Sequence, residues 1–259
     1  MVLGTLKKME GFSTNLVCLM WRHENYWVRL TTQRIFGFVF SYLQDNPKHS
    51  MQSVLAIQQE DLLKLIYEFL TVFKFSHITE ELTNQLVRNL VFIARQIMAL
   101  PDGMEMMIKV IKKASYIGRR HLGMKNESTD TLLSALIQWY TVLATLLKEK
   151  EGWLESCTAP ILELVYRTYT NDRLGGSVKD ESTELIDFLS SSLDKDFFIT
   201  RFNEVQQGIS KNRADRRLKT KLSLGTEAGQ VIMAKRKAKK TQKLTARRKE
   251  KQLRHALLK

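Results

Sequence analysis

The spacing of apolar residues constrains this chain more than any other feature. They recur at steps of three and four, as in Val28, Ile35, Val39 and Leu43, in Leu82, Leu86, Leu90, Ile93 and Ile97, and in Leu132, Leu136, Tyr140, Leu143 and Leu147. Leu185, Ile186, Leu189 and Leu193 continue the series, followed by Phe198, Phe202, Val205 and Ile209. This is the period of one face of an α-helix, and no stretch sustains the two-residue alternation of a half-buried strand. Only 3 prolines interrupt the 259 residues, so few breaks are forced. The chain is therefore expected to be all-α.

Helix start and stop signals divide the stripes. Asp45-Asn46-Pro47 and Pro101-Asp102-Gly103 end helices, Gly118 to Gly123 with Asn126 interrupts another, and Asn171 to Gly176 forms a turn. Asp102 with Glu105, and Ser177 with Asp180, have capping-box spacing. Gly152 and Pro160 bracket a further start. The expected helices lie near 5–22, 25–44, 52–74, 78–99, 103–120, 128–150, 154–170, 178–193 and 196–222, with a last one near 228–257. Paired off, the first eight make four hairpins at the repeat length of HEAT or armadillo units. Trp27-Val28-Arg29-Leu30 and Leu86-Val87-Arg88-Asn89-Leu90 both place Val-Arg in the second helix of a pair, a HEAT habit. The fold expected is a HEAT/armadillo-like helical-hairpin solenoid with a long basic C-terminal helical extension; a compact helical bundle would accommodate the same stripes. In a solenoid each hairpin relies on its neighbours for cover. The segment Val2–Met20 is apolar on several sides, so either the array continues before it, a partner covers it, or this chain's own repeats wrap it.

Charge divides the chain. Residues 1–207 hold 23 Lys+Arg against 24 Asp+Glu, whereas residues 208–259 hold 18 against 3, so a near-neutral repeat domain is followed by a strongly cationic tail. No apolar run reaches the length of a membrane span, and no secretory signal opens the sequence. Cys18 and Cys157 are too few and too far apart for a disulfide framework, which suits a reducing compartment. Asn126-Glu127-Ser128, without a secretory signal, is read as a chance match to the glycosylation tripeptide.

Catalytic chemistry finds no constellation. There is no Gly-x-Gly-x-x-Gly and no phosphate-loop lysine, and His23, His49, His77, His121 and His255 are scattered without metal-ligand spacing. Cys157 reads as a structural thiol, and carboxylates such as Glu80-Glu81 read as solvated helix starts. Neither a catalytic residue, a metal, a cofactor, a small-molecule substrate nor a membrane is expected. Most aromatics, including Trp21, Tyr26, Trp27, Phe36, Phe38, Phe40, Trp139, Tyr140 and Trp153, fall inside helical stripes and are expected in the core.

The tail carries the functional signal. Arg213, Arg216, Arg217, Lys219 and Lys221 form one cluster, above a thin apolar strip of Ala214, Leu218 and Leu222. Lys235, Arg236, Lys237, Lys239, Lys240 and Lys243 form a second, and Arg247, Arg248, Lys249, Lys251 and Arg254 a third. Residues 225–259 hold too little apolar surface to fold alone. KRKAKK suits nuclear import, but the cation density exceeds that need and points to phosphate binding with counterion release. Arginines supply bidentate contacts and lysines point charges. The tail holds no Phe, Trp or Tyr, so base stacking is denied it and affinity without sequence preference is expected.

NYWVRLTTQRIFGFVF, then DESTELIDFLSSSLDKD at Asp180–Asp196, then FFITRFNEVQQGISKNRADRRLKTK, then KRKAKK and ARRKEK stand in that order. Together they resemble the C-terminal end of the giant HEAT-repeat family of the small-subunit processome, the U-three small nucleolar RNA-associated protein twenty or down-regulated-in-metastasis family. The likeness is best at residues 21–43 and 194–250. It implies a nucleolar, non-catalytic scaffold that supports small-subunit ribosomal RNA processing, with pre-ribosomal RNA and processome proteins as partners. A HEAT-like nuclear-transport or adaptor protein is the alternative expectation, with binding in a concave face instead of the tail.

Overall fold

The computed structural model describes residues 20, 23–46, 48, 63, 66–67, 69–74, 79–123 and 129–224, with isolated positions at 231, 234, 238, 241–242 and 245. Among the described residues it has seven α-helices: α1 Tyr26–Asp45, α2 Glu80–Met98, α3 Gly103–Leu122, α4 Thr129–Lys148, α5 Trp153–Tyr169, α6 Gly176–Ser192 and α7 Lys195–Leu224. A 3-10 turn lies at Thr71–Lys74, and no strand occurs among the described residues. The expected helix at 5–22 and most of that at 52–74 lie outside them.

Local chemistry starts the helices. The Asn25 side chain caps α1 by accepting from Trp27 N at 2.9 Å, and Thr79 Oγ1 caps α2 by accepting from Leu82 N at 3.3 Å. Glu80 and Glu81 then place negative charge in the first turn of α2, where the helix dipole favours it. Gly152, at φ 74°, makes the left-handed turn into α5 that side chains resist.

Several start and stop signals act differently from expectation. Asp102 makes no side-chain cap, and α6 begins at Gly176, so Ser177 lies inside it. The start bracketed by Gly152 and Pro160 falls at Trp153, and Pro160 lies inside α5 as the expected span of 154–170 requires. Gly118 does not break α3. A Cβ there would lie 2.8 Å from both methyl carbons of Leu164 and 3.1 Å from one of Leu136, so the glycine is a notch that brings α5 close.

Packing within the unit Met1–Val205 follows the repeat scheme. α1, α2, α4 and α6 pack in succession as one layer, α3 packs on α5 in the other, and the turns α3–α4 and α5–α6 join the layers. This is the solenoid-like, all-α HEAT arrangement. The layer-forming helices begin at residues 26, 80, 129 and 176. α4 lies at the centre, with Leu132, Leu133, Leu136, Ile137, Trp139, Tyr140, Leu143 and Leu147 all buried. It is long and apolar enough to cross a membrane by length and composition, but most of that window is buried against neighbouring helices.

Polar ties fix the stacking. Ser115 Oγ lies 2.7 Å from Tyr140 Oη and 2.8 Å from the Pro160 carbonyl, joining α3, α4 and α5. Ser134 Oγ donates to Glu181 at 2.8 Å, and Asp130 accepts from Gly175 N at 3.0 Å. Glu163 pairs with Arg119 of α3 and, at 3.5 Å, with Arg167 of its own helix. The two Val-Arg pairs part company here. Arg29 is buried and donates to the carbonyls of His23 and Glu24 at 2.7 and 2.8 Å, clamping the chain before α1. Arg88 stands mid-helix and exposed.

Candidate nucleic-acid interface

α7 changes character along its length. Its first half, within Met1–Val205, is amphipathic: Phe198 is buried, and the Phe202 ring meets Tyr166 edge-on with centroids 5.5 Å apart. The unit Gln206–Lys259 contains its second half. From Ser210 through Thr220 every residue is exposed.

Five of these eleven residues are cations, Lys211, Arg213, Arg216, Arg217 and Lys219, against the single carboxylate of Asp215. Arg213, Arg216 and Arg217 share one face, at i, i+3 and i+4, while Lys211 and Lys219 fall on other sides. No ion pair among the described residues holds any of the five. Their charge therefore faces solvent and is available to an anion. Of the apolar strip expected beneath the cluster, Ala214 is exposed and Leu218 is 57% exposed.

The expected site residues fall into two groups. Arg213, Arg216, Arg217 and Lys219 are brought together on one exposed helix, and the backbone of Lys221 continues it. Lys235, Arg236, Lys237, Lys239, Lys240, Lys243, Arg247, Arg248, Lys249, Lys251 and Arg254 lie outside the described residues. Within the expected last helix, Val231, Ala234, Ala238, Thr241, Gln242 and Thr245 are helical and exposed. Lys211 belongs with the first group although sequence motifs do not single it out. It stands a turn and a half from Arg217, and its only signal in the sequence is proximity to the cluster.

Cys157 and His121 are sequestered. Cys157 is fully buried, and loss of hydration pushes its thiol up to about 12. His121 is buried too; desolvation holds its imidazole below the usual range, Arg120 adding to this against a hydrogen bond with the Phe73 backbone. No cluster of three metal-ligating side chains occurs among the described residues. A chain carrying Cys18→Ser, which leaves one thiol, is expected to give no measurable reaction with an aromatic disulfide reagent at pH 8 while folded. It should react stoichiometrically in guanidinium chloride. Prompt labelling of the folded chain would show that Cys157 is open to solvent.

Residues 5–254 match the model of the family described as small subunit processome component 20 homolog, C-terminal. No curated protein and no solved structure is significantly similar to the chain.

Proposed function

The chain belongs to the family of small subunit processome component 20 homolog C-terminal regions, and from that premise we propose that it is a non-catalytic nucleolar scaffold whose basic extension binds pre-ribosomal RNA. In this reading the labour divides at about residue 207. The helical repeats of 1–207 present surfaces to other processome proteins, and 208–259 neutralises RNA phosphates. Small-subunit ribosome biogenesis is what the family name carries; the RNA contact is the finer step.

The observation that supports it is the stretch from Ser210 to Thr220, exposed on every side, whose described cations stand in no ion pair. A cation paired to a carboxylate must first lose that partner to bind phosphate, whereas an unpaired one releases only counterions from the RNA. Because the contacts are to backbone, the binding should be strongly salt-dependent and indifferent to sequence.

The test is a log–log plot of affinity against salt for single-stranded RNA. The intact chain is expected to give a steep negative slope. A chain ending at Ser210 should give a slope near zero, keep the helical circular dichroism of the repeats and lose nucleolar retention. A flat plot for the intact chain would overturn the reading.

A further inference from the structure

The unit Met1–Val205 carries a second polar surface, between α1 and α2, which plays no part in phosphate binding by the tail. The two helices enclose an open groove of about 430 Å³, whose lining includes Arg34, Phe38, Ser41, Gln85, Arg88 and Asn89. Phe38 is 77% exposed, more than any other large apolar side chain among the described residues. A ring so exposed offers a flat π-face on which another ring can stack.

The floor of the groove is unusually polar. Asn89, buried, donates from Nδ2 to the Gln33 carbonyl at 2.9 Å and to Gln33 Oε1 at 3.0 Å. Gln85 Nε2 donates in turn to Asn89 Oδ1 at 3.2 Å. Gly37 makes this possible, since a Cβ there would lie 2.5 Å from Gln85 Nε2. The amide of Gln85 is thereby held in one orientation, with its carbonyl oxygen and second N–H unpaired among the described residues. An oriented amide of this kind matches the paired donor and acceptor on the edge of a nucleobase. Arg34 is engaged by Glu81, but Arg88 is exposed and without an ion pair among the described residues.

We propose that this groove takes one unstacked nucleobase of single-stranded RNA. Phe38 stacks on the base, Gln85 meets its edge, and Arg88 contacts the adjoining phosphate. An acidic peptide fits less well: it would find one unpaired cation, and it would need no flat π-face. The proposal rests on the reading that the chain engages RNA, but through a different surface and by different physics. The tail supplies most of the salt-dependent affinity, and the groove adds, beside the one phosphate contact of Arg88, a stacking contact that salt hardly screens.

The experiment uses the full chain and a short adenine-rich RNA carrying one 2-aminopurine. The unmodified chain should quench the probe on binding. F38L should bind about tenfold more weakly and lose the quenching, with its salt slope unchanged, whereas F38W should retain both. Phe38 supports no core, so these variants leave the fold intact. If F38L binds and quenches like the unmodified chain, the proposal is overturned, because a merely apolar contact, such as a peptide would make, tolerates leucine. A flat salt plot would instead strike at phosphate binding by the tail, so the two failures are distinguishable.

Discussion

Changing Arg213, Arg216, Arg217 and Lys219 together to glutamine is expected to flatten the salt dependence of RNA binding by about 3 in log–log slope, at about 0.7 for each phosphate left without its cation on a single strand. The same arithmetic gives roughly a hundredfold loss of affinity near 0.15 M salt. The fold should be untouched. All four side chains are exposed, and none is in an ion pair among the described residues, so nothing in the repeats depends on them. Circular dichroism and the melting temperature should therefore match those of the unmodified chain. Glutamine is close to the replaced residues in helix propensity, which leaves the charged head group as the main variable. A parallel change of Ala214 and Leu218 to glutamine on the same segment should alter neither slope nor affinity. If it weakened binding as much as the charge change did, the helix would be acting through packing, and phosphate neutralisation would be the wrong account.

The existence and pairing of the helices are legible in the sequence because periodicity reports directly on which residues share a face. What each face meets is decided by neighbours far along the chain, and there the sequence alone loses resolution. Val28, Ile35, Val39 and Leu43 make a plausible buried stripe for α1, yet Ile35 is 39% exposed, and Arg29, Thr32 and Gln33 are buried in its place. Those polar residues go inside because partners await them: the His23 and Glu24 carbonyls for Arg29, the Val28 carbonyl for Thr32, and Asn89 for Gln33. Gly118 misleads for a related reason. Glycine is a helix breaker by propensity, but tertiary packing of α3 on α5 holds Gly118 inside a helix.

The candidate site shows the same division. Cation density is a property of composition, and the cluster from Arg213 to Lys219 can be read without knowing how any helix packs. The groove cannot. Phe38 falls within a helical run of aromatics, and nothing in the local sequence separates it from Phe36 and Phe40, which are 7% and 4% exposed. Only the angle around α1 does so, and that angle is fixed by where α2 lies. Phe40 stacks on Phe92 with centroids 4.7 Å apart, whereas Phe38 stays exposed.

Tyr140 is where stability should be most sensitive. Its ring is fully buried in α4, and its hydroxyl donates to the Ile111 carbonyl at 3.1 Å while lying 2.7 Å from Ser115 Oγ. Tyr140→Ala is expected to cost about 3–5 kcal/mol, the range for removing a buried aromatic ring, because the cavity opens where three helices meet. Tyr140→Phe keeps the ring and loses only the hydroxyl, at about 1 kcal/mol. The alkaline limb of a urea-unfolding series separates hydroxyl from ring. Burial raises the phenol of the folded chain above its ordinary range. The unfolded chain ionises near pH 10, so above that pH it sheds a proton that the folded chain retains. The hydroxyl's contribution is thus full below pH 10 and is lost as pH rises through the folded value. The stability gap between the unmodified chain and Tyr140→Phe should narrow between about pH 10 and 11, and at neutral pH RNA binding by the folded variants should equal that of the unmodified chain. A gap that stayed constant through that interval would mean that the phenol ionises alike in both states. The Ser115–Tyr140–Pro160 junction would then be open to water, not the dry joint between successive repeats.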